Sequence, residues 1–119
     1  MKKGYLKWII SCLLLATLVP AIYPALPALL YQKSEERSQA DELFAEGQAL
    51  LQSGQFQAAL KKLEAALRIY QKSPGNRFRQ ARCLLAIGVV KYRLADYAGA
   101  LSAYQASLPI WSEIRNQFF

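Results

Sequence analysis

The sequence predicts an all-α protein: two helix-turn-helix hairpins forming an α-solenoid fragment, preceded by an N-terminal hydrophobic helix that acts as a signal peptide or membrane anchor. Three observations lead there. The chain matches itself when shifted by 41 residues. Apolar and small residues recur at helical spacing in both halves, and no alternating run is long enough for a strand. A short basic start leads into a charge-free apolar stretch. With 119 residues there is room for one folded domain at most.

The N-terminal element comes first. Lys2, Lys3 and Lys7 precede a run from Trp8 to Gln32 that contains no charged residue. A basic start followed by an apolar stretch is the pattern of an exported or membrane-inserted N-terminus. The run also meets the roughly 20 residues that a bilayer-crossing helix needs. Residues 1–31 are therefore expected to be a signal peptide or an anchor, with residues 32–119 as the domain. Cleavage would fall at Val19-Pro20-Ala21; anchoring would extend the helix toward Tyr31. Pro20, Pro24 and Pro27 oppose one straight helix, because each removes a backbone donor. In either case the basic end stays inside and the domain lies beyond the membrane: periplasmic, lumenal, secreted, or outside on a single-pass anchor. Ile9-Ile10-Ser11-Cys12 is similar to a lipoprotein processing site, but Leu13 to Val19 stays apolar where such a site turns polar. Cys83 reads as a small core hydrophobe.

The repeat accounts for the rest. Gly47 falls on Gly88, 41 residues on, and Ala59, Leu60, Ala65 and Ile69 fall on Ala100, Leu101, Ala106 and Ile110. The first helix of each pair is expected over about 34–53 and 77–94, the second over 56–71 and 97–115. Phe56, Ala59, Leu60, Leu63, Ala66, Leu67 and Tyr70 follow the i, i+3, i+4, i+7 spacing of one helix face. Tyr97, Ala100, Leu101, Tyr104, Ser107, Leu108 and Trp111 repeat that face. Gly54 suits a left-handed helix end and Asp96 an N-cap, while Ser73-Pro74-Gly75-Asn76 punctuates the repeats. Small residues at Gly47, Ala59 and Ala66, and at Gly88, Ala100 and Ser107, mark close helix crossings. Pro109 is expected to kink the last helix near Gln105.

These slots resemble the tetratricopeptide repeat. They pair Leu43, Gly47, Phe56, Ala59 and Ala66 with Leu84, Gly88, Tyr97, Ala100 and Ser107, giving repeats at about 40–73 and 81–114. The 41-residue spacing exceeds the usual 34. It resembles kinesin-light-chain-like arrays and bacterial secreted arrays that lead into a caspase-like CHAT peptidase. Lys91 stands where the family prefers an aromatic. The resemblance implies that first helices line a concave groove for a peptide or helix, formed by Asp41, Phe44, Gln48, Leu51 and Gln52, then Arg82, Leu85, Val89, Tyr92 and Arg93. The plainer reading is that Phe44, Leu85 and Val89 cover core. The Asn and Lys set that clamps carboxylates in chaperone-binding relatives is absent.

The expected function is a non-catalytic protein–protein interaction module with a scaffold or assembly role. No histidine is present for proton exchange near neutral pH, and no phosphate loop, metal-ligand cluster or nucleophile motif appears. No cofactor is implied. Arg77-Phe78-Arg79-Gln80-Ala81-Arg82 reads either as a contact for anionic lipid or nucleic acid, or as a basic first turn of an exposed helix. Net charge +7 favours acidic surfaces without demanding nucleic acid. Ile110, Trp111, Phe118 and Phe119 are expected to form an exposed C-terminal docking face, for self-association or another protein. The alternative is that the chain is the truncated start of a larger array, whose next helix covers that face.

Overall fold

The structure, a computed structural model, describes residues 2–22, 24 and 26–119, with side chains for 4–16, 24 and 26–119. Among these, α1 spans Lys2–Ile22, α2 Leu26–Gln52, α3 Phe56–Gln71, α4 Arg77–Arg93 and α5 Tyr97–Phe118, with a 3₁₀ turn at Pro74–Asn76. The chain divides into two units, Met1–Glu35 and Glu36–Phe119.

In the first unit a turn at Pro24 stands between α1 and α2, where proline's missing donor interrupts the helical ladder, whereas Pro20 is carried inside α1. Pro27 is tolerated in the first turn of α2, where its missing N–H breaks no helical bond. Tyr5, Leu6, Trp8, Ile9 and Ile10 on α1 are all exposed. The expected membrane-spanning helix is not found: among the described residues, no helix is long and apolar enough to cross a membrane. The Val19-Pro20-Ala21 cleavage site lies outside the residues whose side chains are described.

The second unit holds both hairpins. α3 buries Ala59, Leu63, Ala66 and Tyr70, the stripe its spacing dictates. Burying a side chain such as Leu63 completely contributes about 2 kcal/mol. α4 packs against both α3 and α5. It accordingly buries Gln80, Ala81, Cys83, Ala86, Ile87, Gly88 and Val90, more than one narrow stripe. A Cβ on Gly47 would stand 2.7 Å from Leu63 Cγ, and one on Gly88 2.5 Å from Tyr104 Cε1. The same crossing thus recurs between equivalent residues 41 positions apart.

Both hairpins turn by one device. The Gln55 amide donates to the Leu50 carbonyl (2.9 Å) and the Gly54 amide to Leu51 (3.2 Å). Asp96 and Ala95 do the same to Lys91 (2.9 Å) and Tyr92 (3.0 Å). This is the Schellman pattern. Gly54 has φ 81° and Ala95 φ 62°. Asp96 caps α5, its carboxylate accepting from the Gly99 amide at 3.0 Å, whereas Gln55 offers no side-chain cap to α3. Ser73 is extended ahead of Pro74, because proline excludes the helical conformation from the residue before it. α5 runs as one helix through Pro109 to Phe118, longer than expected.

Candidate functional site

The site is built on equivalent rows of α2 and α4. At roughly 100° per residue, Arg82, Leu85, Val89, Tyr92 and Arg93 share one side of α4, with Phe78 a turn before them. Asp41, Phe44, Gln48, Leu51 and Gln52 hold the matching positions on α2.

The N-terminal part of the α2 row is engaged inside the fold. Asp41 Oδ1 accepts from the Tyr70 hydroxyl and, at 3.1 Å, from Arg79 Nε. Burial first, then the hydrogen bond to Asp41 and its charge, push the Tyr70 phenol well above its ordinary range, with Arg79 pulling weakly the other way. Phe44, expected in an open groove, is a core residue at 9% exposure. The Arg82 guanidinium covers its ring at 4.8 Å, a contact contributing about 1 kcal/mol. Asp41, Phe44, Tyr70, Arg79 and Arg82 line a cleft of about 280 Å³. Gln48 and Gln52 are exposed, and Leu51 is half-buried.

The α4 row is open. Leu85, Val89 and Tyr92 are 38%, 37% and 58% exposed, and Arg93 is exposed too. Tyr92 meets Tyr97 edge-on at 5.4 Å. Phe78 is also exposed, its ring 5.9 Å from the Arg82 guanidinium and edge-on to Trp111 at 5.5 Å. α4 therefore presents a continuous stripe of apolar and aromatic side chains with a cation at Arg82 and another at Arg93.

The arginine cluster at the start of α4 belongs to the fold. Arg77 pairs with Glu113 at 2.9 Å and also donates to Gln80. Arg79 pairs with Asp41. These pairs are about two-fifths exposed and contribute little to stability, but they occupy the guanidinium groups that an anionic surface would need. Gln80, which the sequence did not flag, donates from its buried amide to the Tyr70 carbonyl at 2.9 Å. It thereby adds a second donor to a helix-end carbonyl that the Ser73 amide reaches at 3.3 Å.

The expected C-terminal docking face is redrawn. Ile110 is 5% exposed and packs into the core, because it continues the buried row Ala100, Ala103, Ser107 on α5. Trp111 is half-buried against Phe78. Phe118 and Phe119 are exposed, and the outward face of α5 shows Tyr97, Leu101 and Leu108 as well. Phe56, Leu60 and Leu67, their equivalents on α3, are partly buried against the core. Cys83 is fully buried, and desolvation pushes its thiol up to about 12, with Arg82 pulling down and Asp41 pushing up. Among the described residues no group of acids or cysteines could hold a metal ion.

A family model described as tetratricopeptide repeat matches residues 43–113. No curated protein and no solved structure matches the chain.

Proposed function

The chain belongs to the tetratricopeptide repeat family, and from that premise we propose that α4 is its partner-binding face. Repeats of this family generally mediate protein–protein interaction and are typically non-catalytic. The chain acts as a scaffold or assembly module that takes a protein segment along Phe78, Leu85, Val89 and Tyr92. One observation supports this above the others: α4 keeps that apolar stripe open, while in the equivalent α2 row Asp41 and Phe44 are engaged by Tyr70, Arg79 and Arg82 and the exposed Gln48 and Gln52 are polar. An open apolar stripe on one helix suits a partner read at helical spacing. The test is a double substitution, Leu85→Ser with Val89→Glu, on exposed positions. Loss of partner capture with an unchanged melting temperature is expected, whereas Leu101→Ser on α5 leaves capture intact. Capture that survives the α4 double variant overturns the reading.

The basic start and the exposed apolar side chains of α1 support placing the N-terminus at a membrane and the repeats beyond it. Fractionation of cells expressing the full chain tests this: recovery with membranes or outside the cytoplasm is expected, and recovery in the cytosol contradicts it.

A second reading is favoured by the exposed Leu101 and Leu108, whose α3 counterparts are partly buried. In it a further helix covers α5, from a longer array or a second copy. A strictly monomeric chain whose melting temperature is unchanged by Leu101→Ser with Leu108→Ser would contradict it.

A further inference from the structure

We infer that the occupant of the α4 stripe is an amphipathic helix with two carboxylates about three turns apart, one set against Arg82 and one against Arg93, and apolar side chains between them. This rests on α4 being the binding face and names what that face selects.

Charge is the first reason. Among the described residues no carboxylate pairs with Arg82 or Arg93. Three acids of the repeat unit are held by other groups: Asp41 by Arg79 and Tyr70, Glu113 by Arg77, and Asp96 by the Gly99 amide. Arg82 rests its guanidinium on Phe44, an arrangement that holds the cation while leaving its hydrogen-bond donors free for a carboxylate.

Periodicity is the second reason. Phe78, Leu85 and Tyr92 are spaced by seven, and Val89 falls between them. A helix lying alongside meets such a row knob by knob. An extended strand reads every second residue and would lose register within one turn. Arg82 and Arg93 are eleven residues apart on this row, roughly 16 Å along the axis. A helical partner therefore carries its acids at i and i+11, with apolar residues at i+4 and i+7. The molecule already uses this pairing between its own helices, where Asp41 on α2 receives Arg79 from α4.

The probe is a labelled 18-residue helical peptide with Glu at positions 3 and 14 and Leu at 7 and 10, titrated against the full chain by fluorescence anisotropy at low salt. Comparison peptides carry Gln or Lys in place of both Glu residues. Binding of the Glu peptide is expected, about tenfold tighter than the Gln peptide and weakening as salt rises. Arg93→Glu should reduce it about tenfold and restore binding to the Lys peptide. Arg82→Gln, read together with its melting temperature because Arg82 also covers Phe44, should weaken it severalfold. Equal binding of the three peptides, abolished by Leu85→Ser, would overturn the acidic specificity and leave the α4 face standing. No binding of the Glu peptide, while Leu85→Ser with Val89→Glu still ends capture of a native partner, would do the same. Tighter binding of a proline-interrupted peptide of identical composition would overturn the helical form of the ligand.

Discussion

In the first hairpin α2 presents Gly47 to Leu63; in the second α4 presents Gly88 to Tyr104, and at neither crossing is there room for a Cβ. Away from those crossings the hairpins part. Asp41 in one becomes Arg82 in the other, Phe44 becomes Leu85 and Gln48 becomes Val89. The first of each pair is bonded within the fold or polar; the second leaves an open apolar stripe bearing cations. Positions governed by backbone approach are kept alike because any bulk there separates the helices. Positions away from those crossings are free to differ, and the proposed partner selection resides there.

The comparison can be broken most forcefully at the crossings. Gly47→Leu should cost about 3 kcal/mol in denaturant unfolding, because Leu63 is fully buried and cannot retreat. Gly88→Leu should cost less, about 2 kcal/mol, since Tyr104 is only half-buried and can swing outward. Equal or negligible costs would deny that these glycines are close contacts.

Alkali should sharpen the contrast next. Tyr70, ordinarily near 10.0, and Cys83, ordinarily near 9.0, are both raised by burial, Cys83 to about 12. The folded state therefore keeps these groups neutral while the unfolded chain ionises. Their contribution is whole below pH 9 and is lost as pH climbs toward 12. Trp111 stands in Tyr70's place in the second hairpin, so the lability lies between the hairpins, at Tyr70 on α3 and Cys83 on α4. Unfolding midpoints measured from pH 8 to 11 should fall less steeply for Cys83→Ala than for the natural chain, relative to each protein's value at pH 8.

The turns give smaller, opposite effects. Ala95→Gly should stabilise by about 1 kcal/mol, because glycine adopts φ 62° without the Cβ penalty, and Gly54→Ala should cost about as much. Asp96→Ala should cost about 1 kcal/mol and Gln55→Asp should gain somewhat less. Thermal melts of the four variants check the signs.

Much of the packing could be read from the chain. Gly47 and Gly88, the bounds of α3, the left-handed Gly54 and the Asp96 cap all follow from local chemistry or from the duplication itself. What escaped depended on distant neighbours. Phe44, readable as groove or as core, is settled as core by neighbours from other helices, α3 and α4, with Arg82 covering its ring. Arg77 and Arg79 find partners 36 and 38 residues away. Ala95 gives no hint of positive φ, since alanine is at home in almost any helix. In the sequence Ile110 reads as one exposed patch with Trp111, Phe118 and Phe119, although its position in the row Ala103, Ser107, Ile110 decides its burial. Side chains of the Val19-Pro20-Ala21 segment stay outside what the structure describes.

The most direct test of the account places a photoreactive side chain at Val89, at the equivalent Gln48, and at Leu108, in the full chain, one site at a time. A single discrete protein adduct from position 89, suppressed by excess Glu peptide and absent from 48 and 108, is the predicted outcome. An adduct from 48 or 108 with none from 89 would contradict the claim that the second hairpin's first helix is the binding face.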